Sequence, residues 1–369
     1  MKKFTLIVTL LLAVSLLAGC AGTPVVYYTD CTCPVDSHVT VEAPAATEAA
    51  PVETEAAAPA VEGALKTGLY ISTGISDSKS ATAEENGEGK YDVTMVAVLV
   101  DDNGIIRDCI IDGIAASVKF DASGVLTSDL TAAPQTKNEL GKNYGMVAWG
   151  GAIAEWDEQA AALASFAVGK TVEELKSGAI DETGKAPAGT DLASQATIYL
   201  GGYVSAIEKA VANAQHLGAQ SGDELKLAAV NAIDSSASAE AEKAGNAQLD
   251  STVTALTVKD GVITSCAIDA VQAKVAFDAT GAITSDVSSA VKTKNELGPD
   301  YGMVAWAGAI AEWNEQAASF AAYVTGKTAD EVEGIAVDES THPTDADLAS
   351  SVTIAIGGFQ ALIQKAVQG

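Results

Sequence analysis

Apolar residues concentrate in short runs at 65–74, 91–100 and 105–112, the second rich in β-branched side chains, and Asn103-Gly104 marks a hairpin between the last two. That pattern predicts strands joined by tight turns. A further strand is predicted over 117–121, turning at Ser123-Gly124. From Gly151 the pattern changes. Ile153, Trp156, Ala160, Leu163 and Phe166 or Ala167 recur at helical spacing and stop at Gly169, where a left-handed C-cap is usual. A second helix opens on the capping box Thr171 and Glu174. A last strand over 196–200 then passes through a Gly-Gly pair into a closing helix over 203–213.

The same order comes again. Residues 225–245 match the first strand and its polar loop, 252–258 and 262–269 flank Asp260-Gly261, and 274–278 turns at Thr280-Gly281. Thr328 and Glu331 repeat the capping box, and a strand over 352–356 leads into a helix over 359–367. The closest match joins Thr136-Lys137-Asn138-Glu139-Leu140-Gly141, Tyr144 to Trp149, and Gly151 to Trp156 with a second copy at 293–317. In that copy Tyr301, Trp306, Glu312, Trp313 and Gln316 stand in register. All four tryptophans lie in these two copies. A spacing of domain length exceeds any solenoid repeat, so the pattern predicts two copies of one domain, at 64–215 and 216–369. Strands ahead of helices predict an α+β class, each copy an antiparallel sheet with helices on one face. With 369 residues and 48% hydrophobic content, there is chain enough for a core in each copy. Much of that content is alanine, which implies packing by small residues around a few large anchors.

The N-terminus has its own pattern. Lys2 and Lys3 precede an apolar run from Thr5 to Leu17 that is too short to span a bilayer. Leu17-Ala18-Gly19-Cys20 ends it and resembles the lipobox of bacterial lipoproteins. The resemblance implies a signal peptide over 1–19, acylation of Cys20 and a protein anchored to the bacterial cell membrane on its extracytoplasmic side. Two acyl chains at about 0.8 kcal/mol per buried CH₂ suffice for stable anchoring. Residues 20–63 are rich in Ala, Pro, Thr and Glu and carry no lysine or arginine. Such a segment cannot repay its ordering entropy and is expected to be a disordered tether with a reach of about 35 Å.

The formal charge of −28 excludes nucleic acid and anionic lipid as partners of the folded part. Few side chains suggest catalysis. His38, His216 and His342 fall at unrelated places, so a histidine or zinc site is not expected. Cys109 and Cys266 share a strand position and read as buried small hydrophobes. Cys31-Thr32-Cys33 allows a soft metal, a strained disulfide, a cross-link between chains or no role. Glu155 with Glu158, and Glu312 with Glu315, could hold a cation or act as acid and base, but their place opposite the Trp156 stripe reads as a solvated helix face. Lys137 and Lys294 are more suggestive, since basic residues are scarce and these recur beside a glycine-containing loop. They suit an anionic ligand, or else a surface ion pair with the adjacent glutamate. Tyr144, Trp149, Tyr301 and Trp306 are the candidates for stacking on a flat ligand, while Trp156 and Trp313 are expected in the core.

Ahead of each closing helix stands Asp191-Leu192-Ala193-Ser194-Gln195-Ala196-Thr197 or Asp347-Leu348-Ala349-Ser350-Ser351-Val352-Thr353. Both resemble the Asp-x-x-Ser-Gly-Ala-Thr signature of extracytoplasmic FMN-binding domains, found in flavin-carrying electron-transfer proteins. Gln195 and Ser351 replace the signature's glycine, and Val352 its alanine. The resemblance implies FMN joined by a phosphoester to Thr197 and Thr353 through a flavin transferase, with Asp191, Ser194, Asp347 and Ser350 as motif residues. It further implies redox partners and an electron-transfer role in preference to catalysis. A cofactor-free tandem that binds a small ligand, or a structural surface lipoprotein, is the alternative.

Overall fold

The computed structural model describes residues 63–368, all within one compact unit. Cys20, Cys31, Cys33, His38 and the spans expected to be a signal peptide and, up to residue 62, a tether lie outside the described residues. Strands β1 (Lys66–Gly74), β2 (Gly87–Val100) and β3 (Ile106–Phe120) form one antiparallel sheet in that order. Helices α1 (Lys137–Leu140), α2 (Met146–Gly150), α3 (Trp156–Ala167), α4 (Val172–Ala179), α5 (Asp191–Gln195) and α6 (Gly201–Ala212) follow. A second sheet comprises β4 (Glu224–Ala232), β5 (Gly245–Lys259) and β6 (Val262–Phe277). It is followed by α7 (Lys294–Leu297), α8 (Met303–Ala307), α9 (Trp313–Val324), α10 (Ala329–Glu333), α11 (Ala346–Ala349) and α12 (Gly357–Gln368). The class is α+β.

The central strand shows why the layers stack as they do. Met95 to Val100 are buried without interruption, which a strand achieves only when both of its faces are covered. Met95, Ala97 and Leu99 join a core shared with Val253, Ala255 and Val275 of the second sheet. Val96, Val98 and Val100 point the other way, onto Trp156, Leu163, Leu200 and Ile207 of the helices. In the second sheet Leu256 and Val258 likewise meet Trp313, Phe320 and Leu362. The order of layers is helices, sheet, sheet, helices.

Cores private to each half were the expectation; instead, the innermost core draws on both sheets. Phe120 and Phe277 stack there with ring centroids 3.9 Å apart and planes 4° from parallel. Alanines such as Ala247 and Ala273 line the same seam and keep the sheets close. Hydrogen bonds across it are reciprocal. Ala81 N–H donates to the Gly281 carbonyl and Ala239 N–H to that of Gly124, both at 2.8 Å. Leu126 N–H reaches Ser238 Oγ and Ile283 N–H reaches Ser80 Oγ, both at 3.0 Å.

Several element boundaries differ from expectation. The strands expected at 105–112 and 117–121 are one strand, β3, because Gly113 and Ala115 continue the ladder opposite Thr94 and Asp92. The helix expected from Gly151 begins at Trp156 and leaves Ile153 57% exposed. Glu155 starts it by accepting from Glu158 N–H while Glu158 accepts from Glu155 N–H, so the chain before it is free to form the separate helix α2. Residues 196–200 and 352–356 are irregular: the Thr197, Ile198, Thr353 and Ile354 N–H groups go to glutamine side chains, and those of Ala196, Leu200, Val352 and Ile356 to helix and loop carbonyls, none to a neighbouring strand. The two-residue turn Asp260-Gly261 is as expected, with φ of 51° and 81°.

Candidate functional site: a lysine and tyrosine cleft beside Thr197

The cleft is built outward from β3. Asp112 is buried and accepts from Gly113 N–H at 2.7 Å and from Asn138 N–H at 3.0 Å. Asn138 in turn donates its amide to the Ile111 carbonyl at 3.0 Å. Thr136 and Glu139 close a capping box, so the four-residue α1 is pinned to the sheet. Lys137 is thereby held against the sheet's outer face, its stem lying over Gly113. Burial pushes Asp112 above the usual carboxylate range and raises its counterpart Asp269 to about 6, against the pull of its hydrogen bonds.

Lys137 does not form the surface ion pair with Glu139 that was one expectation. It is 6% exposed, with its ammonium 4.8 Å from the Trp156 ring centroid, 5.4 Å from that of Tyr144 and 3.4 Å from Asp92 Oδ1. Burial lowers its pKa, but Asp92 and the Tyr203 and Tyr144 phenols outweigh that and leave it raised. The group stays charged. Lys294 sits likewise, 4.8 Å from the centroids of both Tyr301 and Trp313.

A cleft of about 630 Å³ opens beside Lys137, within the range of small-molecule sites. Tyr70, Tyr144, Tyr199 and Tyr203 supply aromatic faces, Lys137 and Lys209 the positive charge, and Asp92 a rim carboxylate. Trp156 lines it too. It was expected to be core alone, but its indole N–H donates to Tyr203 Oη at 3.0 Å and links the cleft to the helix layer. Lys209 donates to Tyr70 Oη at 2.8 Å.

Thr197 is not among the residues that line this cleft, though the next residue, Ile198, is. Thr197 is exposed, and so is Thr353. Gln159 on α3, fully buried, fixes the first of them. Its Oε1 accepts from Thr197 N–H at 2.8 Å, Ile198 N–H at 3.2 Å and Thr197 Oγ1 at 3.4 Å, while its Nε2 donates to the Ala154 carbonyl at 2.8 Å. Gln316 does the same for Thr353 and Ile354, at 2.8, 3.2 and 3.2 Å.

The remaining motif residues have local partners. Ser194 and Ser350 donate to the carbonyls of Asp191 and Asp347, at 2.6 and 2.7 Å. Asp191 and Asp347 are exposed in the first turns of α5 and α11. Neither Gln195 nor Ser351 has a positive φ, so the backbone at the signature's glycine position accepts a side chain without strain.

Two expectations are corrected here. Trp149 and Trp306 are each 90% exposed on the five-residue helices α2 and α8 and do not line the cleft. Their indoles lie over Gly145 and Gly302, where φ is 84° and 85° and a Cβ would come within 2.3 and 2.4 Å of the ring. Glu155 and Glu312, read as solvated, are 8% and 7% exposed. Each carboxylate accepts the first two N–H groups of the preceding short helix, at 2.8 and 3.1 Å. These helices are anchored at their N-termini by a buried charge.

Sequence reasoning missed Gln159, Tyr70, Asp92, Tyr203 and Lys209. For Gln159 and Gln316 the signal was present: a polar side chain one turn after a buried tryptophan, within an apolar stripe, in both copies. Cys109 and Cys266 are buried and free, and burial pushes the Cys266 thiol up to about 12. His216 and His342 are exposed beside Asp102 and Asp338. Among the described residues no cluster of three metal-ligating side chains occurs, and no helix is long and apolar enough to cross a membrane. No protein-family model, curated protein or solved structure matches this chain.

Proposed function

We propose that this chain is a bacterial lipoprotein, anchored outside the cytoplasm through Cys20, that carries two copies of an FMN-binding-like unit behind a tether and relays electrons. The observation that carries this reading is the pair of exposed threonines, each held by a buried glutamine, with Ile198, next to Thr197 in the chain, lining a cleft of tyrosines and lysines. Its chemistry fits a flavin. Tyrosine faces accept a flat heteroaromatic ring, and Lys137 and Lys209 neutralise a phosphate in a chain that is otherwise strongly acidic. When bound, the isoalloxazine supplies reversible electron chemistry. The protein's own part is to fix the Thr197 backbone through Gln159, keep Lys137 charged and present ring faces. In the attachment step, Thr Oγ1 forms the bond to phosphorus of a flavin dinucleotide donor. The donor's nucleoside monophosphate leaves, and the hydroxyl proton passes to a base of the transferase.

The second reading, a cofactor-free binding or structural surface protein, draws on Trp149 and Trp306, whose exposure offers a contact outside the cleft. Co-expression with a flavin transferase separates the two. A yellow protein with a flavin adduct that is lost in Thr197→Ala supports the first; a colourless protein of unmodified mass supports the second.

A further inference from the structure

The two halves do not offer the same bed to a ligand. Tyr70 lies opposite Val96 in its sheet, and the matching position opposite Thr254 is Ala228. This exchange decides where a lysine goes. In the first half Tyr70 Oη accepts from Lys209 at 2.8 Å and keeps that ammonium in the cleft. In the second half there is no hydroxyl to hold Lys365, which donates to the Ala229 carbonyl at 2.7 Å and pairs across the seam with Glu139.

The closing helices differ as well. Ala206, which lines the first cleft, corresponds to Leu362, which is fully buried. Tyr203, half-buried with its hydroxyl bonded to Trp156, corresponds to Phe359, which packs between Trp313 and Phe320 at centroid distances of 5.9 and 5.2 Å. The second half thus has the hydroxyl-bearing threonine, but it lacks the hydroxyls of Tyr70 and Tyr203, has leucine in place of Ala206, and does not hold the second ammonium there.

We infer that only the first half holds a flavin in a bed, so the chain binds one flavin phosphate with Tyr70 and Lys209 as the determinants. This rests on the flavin reading above. The test titrates free FMN into the full-length protein, following quenching of flavin fluorescence, with stoichiometry read from the break point. One equivalent is expected. Tyr70→Phe, which removes a single oxygen, and Lys209→Gln should each weaken binding by about ten- to a hundredfold, the usual weight of a charge-assisted contact. Lys365→Gln should change it less than about twofold. Ala206→Leu, which rebuilds the second half's side chain in the first, should abolish binding. Should that variant fail to fold, Tyr70→Phe carries the test alone. Two equivalents of similar affinity, or wild-type affinity in Tyr70→Phe, overturns the inference and leaves the flavin reading standing. No binding to the wild-type protein also overturns the inference, while the flavin reading is judged separately by the adduct at Thr197.

Discussion

Gln159 offers the sharpest mutational handle, because a single buried side chain serves the irregular segment that carries Thr197. Replacing it with methionine keeps the volume and removes both polar ends. Thr197 and Ile198 N–H then lose their acceptor and the Ala154 carbonyl its donor. A buried polar group stripped of its partner costs about 1–3 kcal/mol. Thr197 is exposed and can recruit water, so its share is small, and the remaining two groups set the loss at about 2–5 kcal/mol. Urea unfolding should show the midpoint falling at unchanged slope. Hydrogen exchange should show the Thr197 and Ile198 amides losing protection in the native state while the amides of α3 keep theirs. Gln159→Glu keeps the acceptor for both amides but opposes a carboxylate to the Ala154 carbonyl, so it should destabilise while leaving those two amides protected. A loss under about 0.5 kcal/mol in Gln159→Met, or unaltered exchange at 197 and 198, would refute the reasoning.

Other outcomes follow from the same geometry. Phe120→Ala removes one member of the seam stack and should cost about 3–5 kcal/mol, with both halves still unfolding in one transition; two separated transitions would contradict a shared core. Acrylamide quenching should divide the four tryptophans into an accessible pair, Trp149 and Trp306, and a protected pair, Trp156 and Trp313. Trp149→Phe with Trp306→Phe should remove the accessible class at a stability change within about 0.5 kcal/mol each, and persistence of that class would disprove the placement. Burial raises Asp269 from 3.8 to about 6, so the folded chain binds that proton more tightly than the unfolded one. Its contribution is complete below about pH 4 and is lost as the pH rises through 6. Against the wild type, Asp269→Asn should therefore gain up to about 3 kcal/mol between about pH 4 and 7, and a difference independent of pH would contradict this.

How far the sequence reveals this molecule depends on whether a feature is periodic or paired. The apolar strand runs and the Asp260-Gly261 turn are local signals, and the ladders follow them. The capping boxes at Thr171 and Thr328 are local too, and both are present. Lys137 and Thr197 stand out because they repeat against a scarce background. The shared core does not show, because an inward apolar face reads the same whether a helix or another sheet covers it. Glu155 looked solvated for a related reason. Its partners are N–H groups eight and nine residues back, on a helix too short for periodicity to reveal. Tyr70 and Lys209 are invisible to repetition because the second half has alanine at one of the two positions and turns its lysine elsewhere.

The most direct measurement is peptide mapping by mass spectrometry of the full-length protein made alongside a flavin transferase. A flavin phosphate on the peptide containing Thr197, absent after Thr197→Ala while the fold persists, is the predicted result. An unmodified Thr197 peptide in fully folded protein from cells with an active transferase would contradict it.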